Sequence, residues 1–198
     1  MKTKQIIRFL SLFAALPAVA SANEGHVHAT SSGLLEQNAP HLHLLTNHLP
    51  IFGIVMGLLA LALAFLWKNE VSKRIALILL LLSHTGAFLT YNLGQYAYRP
   101  VRRIADEDGQ IWLDTHMDRA ESGIYVFYLA TFIILAALYA AWRKPRWAAP
   151  LTIAAGIVSA ATLGTAGWIA DAGGKVRHSE LRGNHTDSMQ KNESPISH

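Results

Sequence analysis

Histidine is the side chain through which this sequence can do most of its chemistry. Ten of the 198 residues are histidines and none is cysteine. Without thiolates, disulfides, c-type haem attachment and thiolate-held iron–sulfur clusters are excluded, so a metal or cofactor must be held by His, carboxylate, Met or Tyr. Three of the histidines lie in the stretch HLHLLTNHLP, residues 41–50, directly before a long uncharged run. What they can bind depends on the structure that this run forms.

The composition is typical of a membrane protein. Hydrophobic residues make up 52% of the chain and charged residues 15%, and the apolar residues come in blocks. Basic residues precede an apolar stretch that ends near Ala20, and the small-x-small sequence Ala20-Ser21-Ala22 follows. We therefore predict a cleavable signal peptide over residues 1–22 and a periplasmic segment over 23–40. The modest net charge of +4 does not favour nucleic acid as a partner.

Four further apolar blocks are each about 20 residues long, the length that crosses a bilayer as a helix. They predict an all-α bundle of four transmembrane helices within residues 41–181, followed by a disordered polar tail over 182–198. The helices are expected at about 45–67, 74–97, 121–142 and 147–170, with a long second loop at about 98–120.

Basic residues in the first and third connections set the predicted orientation. Lys68, Lys73 and Arg74 lie in the first connection, and Arg143 and Lys144 open the third. The positive-inside rule makes both connections cytoplasmic. We therefore expect a bacterial inner-membrane protein with both termini on the periplasmic side.

The start of the first helix has two possible positions. Asn38 can act as an N-cap with Pro40 just inside the helix, which would then continue past a kink at Pro50. The alternative begins the helix at Pro50 and leaves His48 in the cap region. Either start places His48 near the outer membrane surface.

Three histidines that are distant in sequence are predicted to meet at the outer end of the bundle. His116 precedes the third helix, and His178 follows the fourth. Together with His48 they form a candidate site, with nearby carboxylates to orient the ring nitrogens or act as ligands. Arg102 and Arg103 lie beside the same end, where they suit an anionic ligand group.

His84 is predicted to lie near the middle of the bilayer, about 15 Å from Arg74 along the second helix. An ionisable residue at that depth costs several kcal/mol unless it is neutral or partnered, so a function is the default hypothesis. Tyr91 and Gln95 continue a polar stripe from His84 toward the outer surface. The structural alternative is a histidine that hydrogen-bonds a neighbouring helix.

Small residues predict where helices pack closely. The first helix contains Gly53-x-x-x-Gly57, and the fourth contains Gly156-x-x-x-Ala160-x-x-x-Gly164. Such stripes let backbones approach each other. Plain bundle packing is the favoured explanation for both.

Four short motifs resemble a family of small bacterial four-helix membrane proteins classed as a domain of unknown function. They are the His-x-x-x-x-His-x-Pro spacing from His43 to Pro50, TGAFLTYNLG, HMDRAE and GGKVRHSE, and the resemblance covers about residues 41–182. It implies a redox setting with Rieske or cytochrome partners, and it highlights His43, His48, His116 and His178. HMD stands where the family pattern leads us to expect a glutamate after the histidine, which passes that role to Asp118.

The first functional hypothesis is a b-type cytochrome or a quinone-linked electron-transfer subunit. A four-helix bundle can hold a haem between facing helices through axial histidines. Depth along the helices favours His48 with His116 or His178 as the axial pair. Arg102 or Arg103 would then meet the propionates, and His84 would be a separate proton or quinone contact.

Two other hypotheses stay open. His43, His48, His116 and His178 with nearby carboxylates suit a zinc, copper(II) or non-haem iron site. The remaining alternative is a structural or assembly subunit. No nucleophile elbow, phosphate loop or paired acid–base motif appears, so a hydrolase or phosphotransferase has no support, and whether the protein is an enzyme stays undecided.

Overall fold

The computed structural model describes residues 31–182, with side chains from residue 37 onward. The predicted signal peptide and nearly all of the predicted polar tail lie outside the described residues. Within them the regular structure is entirely helical. The helices are α1 (Ser31–Thr46), α2 (His48–Leu66), α3 (Glu70–Ile104), α4 (Glu107–Arg143), α5 (Pro145–Arg177) and a short 3-10 turn at Ser179–Leu181.

Four of the described segments are long and apolar enough to cross a membrane. α1 and α2 together supply the first, Gln37–Leu66, and α3, α4 and α5 supply one each. The prediction of an all-α protein with four membrane-length helices is therefore confirmed. Each apolar block predicted from the sequence lies within these helices or ends one residue beyond them.

The long loop predicted at about 98–120 is wrong. α3 continues to Ile104 and α4 begins at Glu107, so that only Ala105 and Asp106 separate them. Hydropathy shows only the part of a helix that lipid covers, and polar turns beyond it remain helical when their charges pair. Here Arg102 of α3 bonds Asp114 of α4 at 2.5 Å, joining the two polar extensions.

The predicted start of the first helix is confirmed only in part: a helix does begin well before Pro50 and continue past an irregularity next to it, but neither the N-cap at Asn38 nor the alternative start at Pro50 is present. α1 runs through Asn38 and Pro40 without a break, and the chain interrupts only at Asn47, with His48 as the first residue of α2. Pro50 is the physical reason for an irregularity here. Proline has no N–H, so the carbonyl four residues earlier, that of Thr46, loses its helical donor. The Thr90 hydroxyl of α3 lies 3.2 Å from this carbonyl and shares its one proton between it and the Gly86 carbonyl, at 3.0 Å in its own helix.

Replacing Thr90 with valine should lower the free energy of unfolding by about 1 kcal/mol, because the Thr46 carbonyl then lacks a donor. The expected loss is smaller in a Pro50→Ala background, where residue 50 regains an N–H that can reach Thr46. Reversible unfolding in mixed detergent micelles measures both values. Thr85→Val is the matched control, since the Thr85 hydroxyl bonds only a carbonyl of its own helix. Equal losses in the two backgrounds would contradict this explanation.

The helices pack in a ring in which α2 and α4 each lie between α3 and α5. α2 therefore faces α4 across the bundle. Gly53 and Gly57 lie against Ser83 and Leu80 of α3, where an added Cβ would overlap either side chain. The close packing predicted for this stripe is present. In the second stripe Gly156 meets Leu61, whereas a Cβ at Gly164 would meet open space.

A polar latch closes the end of the bundle at the α3–α4 turn, which we name the Asp106 end. The Arg182 guanidinium bonds the Asp106 carboxylate at 2.7 Å and donates to the carbonyls of Lys175 and Val176 near the end of α5. The opposite end, where Lys144 separates α4 from α5, is named the Lys144 end. The latch fixes the end of α5 against the start of α4.

The latch should weaken in acid. The hydrogen bond from Arg182, followed by one from the Gly109 N–H, holds the pKa of Asp106 below its ordinary value of 3.8. A carboxyl whose pKa is lower in the folded state stabilises the fold fully above its ordinary value, and this contribution disappears as pH falls through the native pKa. Thermal unfolding between pH 7 and 3 should therefore show a smaller acid loss in Asp106→Asn. Glu107→Gln is the neighbouring control and should keep the full loss.

Candidate functional site

His43 of α1 and His116 of α4 meet inside the bundle near the Asp106 end. Their ring centres are 6.3 Å apart and their planes cross at 77°. Both rings are partly buried. The two residues are 73 positions apart, and they come together because the span formed by α1 and α2 lies opposite α4.

A backbone carbonyl and a glycine of α3 hold the His43 ring. Nδ1 lies 3.0 Å from the carbonyl oxygen of Thr90, and the ring lies on Gly94, where an added Cβ would be 3.1 Å from Cε1. In a helix each Cα–Cβ bond tilts toward the N-terminus, so the side chain at i+4 covers the carbonyl of residue i. Glycine at position 94 leaves the Thr90 carbonyl open to the imidazole.

The same arrangement recurs on α5 around His116. Nδ1 lies 2.9 Å from the carbonyl oxygen of Ile169, and the ring lies on Gly173, where an added Cβ would be 3.0 Å from Nδ1 and Cε1. Gly173 is again four residues after the accepting carbonyl. The two histidines are therefore held in the same way. In each case the imidazole comes from an opposing helix, its Nδ1 bonds the carbonyl of residue i, and the residue at i+4 is glycine.

These contacts define the protonation of both rings. A carbonyl oxygen only accepts, so Nδ1 must carry the proton and donate. Nε2 of a neutral ring is then unprotonated, and within residues 31–182 it has no hydrogen-bond partner in either histidine. A histidine that donates through one nitrogen to a carbonyl and offers the other is the usual form of a metal ligand.

The ring separation discriminates between kinds of metal site. A ligating nitrogen lies about 2.0 Å from its metal and about 1.1 Å from its ring centre, so rings on opposite sides of one ion have centres about 6.2 Å apart. At the tetrahedral angle typical of zinc the centres would be about 5 Å apart. The observed ring-centre separation of 6.3 Å is close to that of the opposed arrangement and longer than that of the tetrahedral one. Opposed imidazoles are the axial pair of a haem iron.

The structure brings together only two of the histidines predicted for this site. His48 is exposed and contacts Phe52 of its own helix, with ring centres 6.4 Å apart. His178 is also exposed, and its Nδ1 is 2.9 Å from the Glu180 carboxylate. The backbone N–H of Glu180, and then His178, hold the pKa of that carboxyl below its ordinary value. Across residues 31–182 no three His, Asp or Glu side chains converge as a metal site.

The arginines predicted to bind an anion have different surroundings. Arg102 is paired with Asp114 and with the Tyr98 hydroxyl, which partly neutralises it. Arg103 is exposed and lines a shallow groove of about 380 Å³ with Arg99. Closer to the histidine pair, Arg119 lies three residues from His116 and bonds the Trp168 carbonyl at 2.7 Å.

The predicted stripe from His84 to Gln95 divides between the interior and the surface. His84 is fully buried, with Nδ1 at 2.7 Å from the Leu80 carbonyl and Nε2 at 3.1 Å from the Thr162 hydroxyl of α5. Tyr91 is half-buried and interacts with Gln95. Gln95 is exposed and lines a cavity of about 510 Å³ between α3 and α4, together with Asp118 and Glu121.

The sequence contains a pattern at the two positions that hold His43 and His116, which depth along the helices did not reveal. Depth along the helices favoured His48 with His116 or His178, and it gave no means of choosing between His43 and His48. The spacings Thr90-x-x-x-Gly94 and Ile169-x-x-x-Gly173 expose a carbonyl on each of two helices. That repeated pattern, facing two histidines, identifies the site.

Comparison with known proteins finds no matching family model, no similar curated protein and no similar solved structure. The resemblance to the four-helix family therefore stays a prediction. The arguments about function come from the geometry of the histidine pair.

Proposed function

We propose that the protein is a b-type membrane cytochrome that holds one haem between His43 and His116 and acts as an electron-transfer subunit. The observation that carries the proposal is the pair of imidazoles with ring centres 6.3 Å apart, in each of which Nδ1 donates a hydrogen bond to a backbone carbonyl. The haem would supply reversible one-electron exchange at iron. His48 and His178, which we expected as ligands, have no part in this pair.

The protein's own groups perform the positioning. The carbonyls of Thr90 and Ile169 fix the tautomer and rotation of each ring and raise the basicity of its free nitrogen. Gly94 and Gly173 give the rings room to reach those carbonyls. The Thr90 hydroxyl also bonds the carbonyl of Thr46, which is three residues after His43. This bond stabilises the chain at the break before α2.

The distribution of basic residues supports a location in a bacterial inner membrane. Lys68, Arg74, Arg143 and Lys144 lie at the Lys144 end, and the positive-inside rule makes that end cytoplasmic. The histidine pair would then lie toward the periplasmic side, with both ends of the mature chain on that side. The predicted signal peptide fits the same orientation.

We further propose a quinone and a Rieske or cytochrome protein as electron partners. The cavity between α3 and α4 adjoins the histidine pair in sequence, since Gln95 follows Gly94 and Met117 follows His116. Its amide, phenol and carboxylate groups offer donors for a quinone and acceptors for a quinol. The membrane itself is the route by which such a ligand would arrive.

A site for zinc, copper(II) or non-haem iron is the alternative function. It has less support because the described residues supply two histidines without a third ligand, and their ring centres are 6.3 Å apart where tetrahedral zinc would need about 5 Å. A purely structural role does not explain why two histidines are both held by a backbone carbonyl with a glycine four residues after it.

The visible absorption spectrum of the purified protein tests the proposal. We expect a Soret band with sharp α and β bands on reduction, and one haem per chain by extraction and haem assay. A colourless protein carrying stoichiometric zinc or copper would favour the alternative and exclude the cytochrome.

A further inference from the structure

We propose that His84, Thr162 and Ser159 form a proton-binding site inside the bundle, and that this site takes up a proton when the haem is reduced. The inference rests on the proposed function. His84 and Ser159 are both 0% exposed, as is Thr162. The hydrogen-bond geometry of the three residues carries the argument.

Two proton arrangements fit the same heavy-atom positions. In both of them His84 Nδ1 donates to the Leu80 carbonyl at 2.7 Å, because that oxygen only accepts. In the neutral ring, the Thr162 hydroxyl donates to Nε2 across 3.1 Å. In the protonated ring, Nε2 donates to the Thr162 oxygen, and the Thr162 hydroxyl proton turns to the Ser159 carbonyl at 2.7 Å. Both forms are fully hydrogen-bonded, and gaining the proton requires only a hydroxyl rotation.

The side chain of Ser159 adds a second polar feature to this cluster. Its Oγ is buried and has no hydrogen-bond partner among the described residues. Buried polar atoms are almost always satisfied, and leaving one unpaired is expensive in an apolar interior. Ser159 therefore leaves one unpaired hydrogen-bonding oxygen on α5, three residues before Thr162.

The surroundings of His84 contain no other charge to compensate a proton. On α4 its ring contacts Phe127, at 5.8 Å between ring centres, and on α5 it contacts Thr162. The sequence has no Asp, Glu, Lys, Arg or further His over 49–67 of α2 and its cap, 75–98 of α3, 122–142 of α4 or 147–170 of α5. The titratable groups on the faces around this region are tyrosines, which are neutral at physiological pH: Tyr91, Tyr96, Tyr98, Tyr125, Tyr128 and Tyr139.

The haem proposed between His43 and His116 would be close enough to affect a proton on His84 electrostatically. The Thr90 carbonyl, which binds His43, is six residues beyond His84 on α3, or about 9 Å along the helix. Reduction of a haem held there would lower the charge at that level by one, which removes electrostatic repulsion on a proton at His84. In a low-dielectric interior without screening ions this charge acts strongly on a nearby proton site. The electron and the proton therefore enter the bundle together.

The test measures the midpoint potential of the haem-loaded, full-length protein as a function of pH. We expect the potential to fall with rising pH by up to 59 mV per unit, the value for one proton per electron. His84→Phe should flatten this dependence. Thr162→Val should weaken it because protonated Nε2 loses its acceptor, and Thr162→Ser should restore it. His48→Ala, an exposed histidine outside the site, should leave it unchanged.

A second readout is the ¹⁵N NMR signal of the His84 imidazole, which should change from the neutral to the doubly protonated pattern on reduction. A potential independent of pH in the wild type, or an unchanged slope in both His84→Phe and Thr162→Val, would overturn the inference while the cytochrome stands. A purified chain that binds no haem would overturn the proposed function, and this inference with it.

Discussion

On the proposed cytochrome function, replacing His43 or His116 with alanine should abolish the Soret band of the purified protein, whereas replacing His48 or His178 should leave it in place. This is the largest effect that the structure predicts. Either alanine would remove one of the two proposed haem ligands, and no third His, Asp or Glu within residues 31–182 lies close enough to take its place. Absorption spectroscopy and haem assay on membranes and on purified variants measure the outcome.

The two exposed histidines are matched controls for this experiment. His48, like His43, precedes the first apolar segment. His178 follows α5, the helix whose Ile169 carbonyl bonds His116. If His48→Ala lost haem while His43→Ala kept it fully, the ligand would be His48, as expected from the sequence, and not His43. Circular dichroism on each variant shows whether the helical fold persists without the cofactor.

Valine at Gly94 or Gly173 should lower haem affinity by about 10- to 100-fold, the usual cost of removing the hydrogen bond that orients a metal-ligating histidine. The new Cβ would press on the imidazole at 3.1 Å and 3.0 Å respectively, and it would cover the carbonyl that Nδ1 needs. Haem titration of the apoprotein measures the affinity, and the low-spin fraction of the ferric spectrum reports ligand geometry.

Gly86 of α3 and Gly167 of α5 provide controls on the same two helices. A Cβ at either position would have no neighbour within 4 Å. Gly86→Val and Gly167→Val carry the same helix-propensity cost as the test variants, so they should bind haem like the wild type. Equal weakening at all four positions would show that loss of helix packing, and not the orientation of the histidines, controls binding.

The four membrane-length helices could be predicted from the sequence, because the free energy of transfer into lipid is large and adds up along each apolar block. The transfer of about 20 apolar residues into lipid determines each crossing, and four such blocks are plain in the chain. The helical extension over residues 98–120 was not accessible in this way. It is stabilised by pairings such as Arg102 with Asp114, which hydropathy does not measure.

Hydropathy and depth along the helices predict only part of the candidate site. His116 was expected at the correct end of the bundle, since position along a helix gives depth. The choice between His43 and His48 depends on rotation about the helix axis, which the break at Asn47 and the proline at 50 alter. The fastening of Thr46 by Thr90 then sets which histidine faces α4. The orientation of His43 therefore depends on a contact between two helices, which residue spacing along one helix cannot predict.

Low-temperature electron paramagnetic resonance of the ferric protein tests the central claim most directly. Two imidazoles with planes crossed at 77° on one iron predict a low-spin signal with one dominant, strongly shifted g value and one such centre per chain. A high-spin ferric signal would contradict axial ligation by His43 and His116 together. Absence of any haem signal from a folded protein that carries stoichiometric zinc or copper would contradict the cytochrome itself.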